Sequence, residues 1–161
     1  MDLRYENKFH KFRKKYKQIN FKIINLNINN SMKPKIFICA NANSKYIQRD
    51  LMNKLIDMRY DVEIYDPTSD FVLNVYKLAS SIKMYENQKI GIVLCNTAIT
   101  IQEITNNFYE IKNLIVIKQN KFVKTQYENS NMITVGIEEW SPDDIIKICL
   151  FYIQNVFLFN K

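Results

Sequence analysis

The chain has 161 residues, 47% of them hydrophobic and 13% aromatic, with a formal net charge of +7. That suits one globular domain with a single core, and no run approaches the roughly 18 consecutive apolar residues of a membrane-spanning helix, so no transmembrane segment is expected. The three cysteines, at 39, 95 and 149, have no Cys-x-x-Cys spacing, so neither a disulfide framework nor a zinc cage is indicated; a reducing intracellular compartment fits, cytoplasmic or mitochondrial.

The charge is concentrated at the amino end. Residues 1–31 carry eight basic side chains against Asp2 and Glu6, which leaves about +1 of the +7 for the other 130 residues. Within this arm Tyr5, Phe9, Phe12 and Tyr16 recur at spacings of four, three and four, one face of a helix, while Arg13, Lys14, Lys15 and Lys17 lie among them on the remaining surface. A basic amphipathic helix is expected. Its stripe can dock on the protein's own domain, or these eight residues can bind a partner: an RNA backbone, an anionic membrane surface or an acidic protein groove. A mitochondrial transit peptide fits less well, since the arm carries two acids and no serine before Ser31. No apolar stretch of signal-peptide type precedes a small-residue cleavage site.

The domain is expected to begin at residue 32, after the Asn-rich residues 25–30. Ile36 to Cys39 reads as a buried strand, and Ile47, Leu51, Leu55 and Met58 mark a helix over 44–58. Asp61 to Tyr65 reads as a second strand, ended by Asp66-Pro67-Thr68-Ser69. A helix follows with Phe71, Leu78, Ala79 and Ile82 inward, then a third strand from Ile90 to Cys95, a helix over 99–109, a fourth strand from Leu114 to Ile117, a short helix near 120–127 and a fifth strand from Met132 to Val135. Ser141-Pro142-Asp143-Asp144 opens the last helix with an N-cap, a first-position proline and two carboxylates in the positive first turn. Short apolar strands alternating with helices require right-handed crossovers. The expected fold is a Rossmann-like three-layer α/β/α sandwich around a five-stranded parallel sheet.

Ligands of such sheets sit beyond the carboxyl ends of the strands, where strand order reverses. The loops to search are Cys39-Ala40-Asn41-Ala42-Asn43 and Cys95-Asn96-Thr97-Ala98-Ile99-Thr100. Backbone cradles for anions need glycine, but the only two glycines are Gly91 and Gly136, outside both loops. No glycine-rich nucleotide motif exists; no cofactor and no metal are expected.

The stretch from about Lys35 to Phe157 resembles the ribose 5-phosphate isomerase B family, which includes the galactose 6-phosphate isomerase subunits. Members resemble one another in a first strand ending in Asp-His-x-Gly, a Cys-Gly-Thr-Gly-x-Gly loop after strand three, a downstream Asn, and His-Asn-x-x-Asn-x-x-x-x-Gly near strand five. Here the first loop reads Asn41-Ala42-Asn43-Ser44, without the family's acid and histidine. The second keeps Cys95 and Thr97 but has Asn96, Ala98 and Thr100 for the glycines; Asn106, Asn131 and Gly136 match, and Tyr127 falls at the ring-opening histidine. The family's Asp-Tyr-Pro-Asp-Tyr segment resembles Asp70-Phe71-Val72-Leu73-Asn74 without its tyrosines, and no counterpart of its arginine-rich tail stands at residues 157–161.

The resemblance implies aldose–ketose isomerisation, with the base falling on Cys95, an anion hole for the enediolate and further groups to open the sugar ring. Losing oxyanion donors costs on the order of 10²–10³ in rate for each, and the only histidine, His10, lies in the arm. The residues therefore lead to a catalytically inactive isomerase-like protein, a structural or interaction subunit of a larger protein or ribonucleoprotein assembly, with vestigial candidates Cys95, Thr97, Asn41, Asn106 and Tyr127. The resemblance also implies a homodimer or pairing with a related subunit. The basic arm and an apolar stripe on the last helix (Ile145, Ile148, Phe151, Tyr152, Val156, Phe157) are the expected contact surfaces. The alternative is an active sugar-phosphate isomerase whose site is remodelled or completed by a partner. Cys39 and Cys149 read as small core side chains, and Asp143 and Asp144 as capping acids.

Overall fold

Runs such as Ile36-Phe37-Ile38-Cys39 are apolar on both sides of a strand, and that is affordable only where helices cover both faces of a sheet. The computed structural model describes residues 33–83, 89–96, 98–117 and 130–159. It has five strands: β1 (Lys35–Ala40), β2 (Asp61–Ile64), β3 (Lys89–Cys95), β4 (Asn113–Val116) and β5 (Met132–Gly136). They form one sheet in the order β2-β1-β3-β5-β4, and every neighbouring pair is parallel. Among the described residues four helices surround it: α1 (Lys45–Asp57), α2 (Phe71–Lys83), α3 (Ala98–Thr105) and α4 (Pro142–Phe159). The expected three-layer architecture is the observed one. The helices expected in the arm and near 120–127 lie outside the described residues.

Alternate strand residues serve opposite faces. Ile36, Ile38, Ile92, Leu94, Ile133 and Val135 pack with Ile47, Leu51 and Leu55 of α1 and with Ile145, Cys149, Tyr152 and Val156 of α4. Phe37, Cys39, Val93 and Cys95 pack with Val75, Leu78, Ala79 and Ile82 of α2 and with Ala98, Ile101 and Ile104 of α3. The strands' odd and even positions thus build two cores, and fully burying each large aliphatic contributes about 1.5–3 kcal/mol. Gly91 lets α2 lie close to β3: a Cβ there would collide with Ile82 Cδ1 and stand 2.7 Å from Leu78 Cδ2.

The helix ends have local causes. Ser141 Oγ accepts the Asp144 N–H at 3.2 Å and donates to Asp144 Oδ2 at 2.8 Å, so the expected cap of α4 is formed. Asp70 Oδ1 accepts the Leu73 N–H at 3.1 Å and caps α2. α1 ends in a Schellman pair, Tyr60 N–H to Leu55 O at 3.0 Å and Arg59 N–H to Ile56 O at 2.8 Å. Arg59 takes the left-handed position there, φ 62°, where glycine is the usual residue. α3 stops at Thr105, short of the expected 109, because Asn107 turns its side-chain amide back onto the Ile104 carbonyl at 3.2 Å.

One expectation is corrected. The apolar stripe of α4 is not a contact surface: Ile145, Tyr152 and Val156 are 1%, 0% and 3% exposed. The helix lies across the sheet beside α1, and that packing uses the stripe as core. Ile148 and Phe151 are half-buried against the same core, and the Phe157 side chain lies outside the described residues.

Candidate functional site

Because all strands are parallel, the loops after β1, β3 and β5 emerge together at the carboxyl edge. The chain leaves β1 for β2 on one side and comes back to β3 on the other, with α1 on one face and α2 and α3 on the opposite face. The crevice of a doubly wound sheet lies at this reversal.

Side chains from three loops bridge that edge. Asn41 sits just past β1, anchored by its N–H to the Leu94 carbonyl at 3.1 Å. Its Oδ1 accepts from Ser44 Oγ at 2.6 Å and from the Ser44 N–H at 3.2 Å. Its Nδ2 donates to Asn96 Oδ1 at 2.7 Å, and Asn96 Nδ2 donates to Glu138 Oε1 at 2.8 Å. Every donor in this relay points the same way, from the buried Ser44 hydroxyl to the exposed Glu138 carboxylate. Such chains polarise their members and strengthen each bond. Gln48 of α1, 2% exposed, donates to the Ile38 and Tyr65 carbonyls at 3.1 and 3.0 Å.

Cys95 ends β3 at 2% exposure, on the α2/α3 side among Cys39, Ala98 and Ile101. Burial pushes the Cys39 thiol up to about 12, with Cys95 adding to the shift. Burial alone holds Cys149 at about 12. Cys39 and Cys149 therefore stay protonated near neutral pH, inert thiols filling core space. Among the described residues no group of three or more His, Cys, Asp or Glu side chains could hold a metal ion.

Of the residues singled out in the sequence, the structure brings Asn41 and Cys95 to the carboxyl edge. Asn106 is exposed just past the far end of α3, about 12 Å along an eight-residue helix that starts beside the loops. It does not join the relay. Asn131 lies at the amino end of β5 and ties the turn before β4, accepting from the Lys112 N–H and donating to the Glu110 carbonyl, both at 2.9 Å. Gly136 faces Cys95 across the β3–β5 register; a Cβ there would approach nothing closer than 3.4 Å. Thr97 and Tyr127 lie outside the described residues, as do Tyr5, Phe9, Phe12, Arg13, Lys14, Lys15, Tyr16 and Lys17 of the arm. Asn96 was noticed in the sequence only as a replaced glycine, and Ser44, Gln48 and Glu138 carried no signal. Their roles come from side-chain meetings that no local pattern encodes.

The fold and edge define a doubly wound α/β protein whose carboxyl edge is bridged by its own side chains. No family model and no curated protein matches the sequence. Solved structures do match. A ribose 5-phosphate isomerase B from Clostridium thermocellum is 20% identical over 76% of this chain and 83% of that one, with a TM-score of 0.61. One from Thermotoga maritima is 19% identical over 78% and 86%, with a TM-score of 0.59. One from Mycoplasma genitalium with bound ribulose 5-phosphate is 16% identical over 80% and 85%, with a TM-score of 0.61. The chain has the ribose 5-phosphate isomerase B fold, and the resemblance read from its sequence is borne out at that level.

Proposed function

We propose that this protein is a sugar-phosphate-isomerase fold that no longer isomerises, and that it serves as a structural or interaction subunit of a larger assembly. The observation that carries this reading is the relay from Ser44 through Asn41 and Asn96 to Glu138. Moving a proton between adjacent carbons of an aldose phosphate needs an acid–base group in reach of the sugar and donors aimed at the enediolate. Here the amides of the two loops satisfy one another, an exposed carboxylate ends the relay, and Cys95 is buried at 2% exposure. The reading divides the chain into an arm, residues 1–31, that supplies partner contacts through its aromatic and basic residues, and an isomerase-like domain, residues 32–161.

The test is an isomerase assay with ribose 5-phosphate and galactose 6-phosphate, run beside thermal shifts with each sugar. Turnover at background and an unchanged Tm at millimolar ligand are expected. Saturable turnover that Cys95→Ala abolishes would overturn the reading in favour of an active isomerase with a remodelled or partner-completed site. Gradient sedimentation of the tagged chain from its own cells addresses the assembly: migration with a large complex that is lost on deleting residues 1–31 is expected.

A further inference from the structure

β2 is an edge of the sheet, with β1 as its neighbour. Successive residues of a strand turn their N–H and C=O groups to opposite sides. The Tyr65 N–H, just past β2, goes inward to the Ile38 carbonyl at 3.0 Å, so the N–H and C=O groups of Val62 and Ile64 point out of the sheet. Among the described residues none of these outward groups has a hydrogen-bond partner. Such a row is a template for a further strand, and two of the usual guards are missing: Asp61-Val62-Glu63-Ile64 contains neither proline nor lysine.

The side chains on the two faces of β2 select the occupant. Val62 and Ile64 are on the α1 side, Val62 half-buried against that core and Ile64 40% exposed. Gln48, Met52 and Ile56 form one row along α1. Gln48 donates to the Tyr65 carbonyl, so this row borders β2, and Ile56 at its end is 51% exposed. The edge is therefore apolar on this face. On the other face it is acidic: the Asp61 and Glu63 side chains are 70% and 48% exposed, and Lys35 of β1 holds them from the inner side at 3.9 and 2.9 Å. A strand laid along β2 matches it with apolar residues opposite Val62 and Ile64 and basic residues opposite Asp61 and Glu63. A second copy of β2 fits badly. Paired antiparallel about residue 62 or 63, it sets Glu63 against Asp61 or against another Glu63, and like charges directly opposite destabilise a pair.

We propose that the open edge of β2 takes an extended segment of another protein, one with alternating basic and apolar residues, as an added strand. Main-chain hydrogen bonds to Val62 and Ile64 supply affinity, and the alternating side chains supply specificity. The inference rests on the subunit reading for its purpose, but peptide binding and turnover are measured separately, so either can fail alone. The experiment titrates the full chain with a capped peptide of alternating lysine and valine and follows amide hydrogen exchange by NMR. Binding that saturates below about 1 mM is expected. Exchange of the Val62 and Ile64 amides should slow at least roughly tenfold, and that of Glu63 and Tyr65, whose amides face β1, should change less. Ile64→Pro removes an outward N–H, the one placement an edge strand tolerates for proline, and should abolish binding. Glu63→Lys should weaken it by about three- to tenfold. Circular dichroism of each variant checks that it is folded, and Val62→Pro is the replacement if Ile64→Pro is not. No binding, slowed exchange that spares Val62 and Ile64, full binding by the folded proline variant, or equal binding of an alternating glutamate and valine peptide would each overturn the proposal. Slowing of the same two amides on concentrating the protein without peptide would assign the edge to a second copy and overturn it as well.

Discussion

In the middle of the sheet Ile36, Ile38, Ile92, Leu94, Ile133 and Val135 are all 0% exposed, and each is an aliphatic that packing alone can hold. A few residues further along the same strands, at the carboxyl edge, Asn41, Asn96 and Glu138 meet through directed hydrogen bonds of 2.7 and 2.8 Å. The interior follows a rule that tolerates many sequences, since any well-fitting apolar side chain preserves it. The edge depends on particular atoms, and one substitution undoes it. This difference explains how a chain 12–20% identical to solved isomerases shares their fold.

The comparison can be broken most sharply from the interior. Ile92→Ala should cost about 2–5 kcal/mol in urea unfolding, because β3 is central and the neighbouring strands and helices close only partly over the cavity. Alkaline pH attacks the same interior by another route. Cys39 and Cys149 are raised from 9.0 to about 12 in the folded protein. The unfolded chain therefore releases these protons first, so stability is intact below about pH 9 and falls as pH rises toward 12. Cys149→Ala should flatten that slope in unfolding titrations; an unchanged slope would mean that the thiol is not the group responsible.

At the edge, Asn96→Ala removes two hydrogen bonds and should cost about 1–3 kcal/mol, less than the core truncation because its partners can turn to water. Isomerase activity should remain at background in the variant, and any rise would show that the relay was blocking a competent site. The smallest effect is a gain. Arg59→Gly relieves a left-handed residue at the end of α1 and should add about 0.5–1 kcal/mol, read as a raised Tm. No change in Tm would mean that the Arg59 side chain contributes packing which offsets the backbone strain.

Much of this architecture was legible beforehand. The β1, β3 and β5 runs, the inward positions Ile47, Leu51 and Leu55, and the Ser141 cap were each read within one or two residues of where they stand. The misreading of the last helix has a physical cause. The apolar stripe of α4 was visible, but a stripe says only that something covers it; that the sheet does so was decided by packing. Asn106 matched a motif yet ended a helix length from the edge.

The sequence by itself determined what is local: strand and helix periods, the caps, the apolar setting of the cysteines and the scarcity of glycine where an anion cradle would need it. Only the tertiary structure decided the order β2-β1-β3-β5-β4, the partners of each apolar face, and the meeting of Asn41 with Asn96 and of Asn96 with Glu138, separated by 55 and 42 residues in the chain. The physical reason is range. Propensity and periodicity act over a few neighbours, whereas a hydrogen bond between distant loops exists only after the sheet's register has brought their carbonyls and amides within reach.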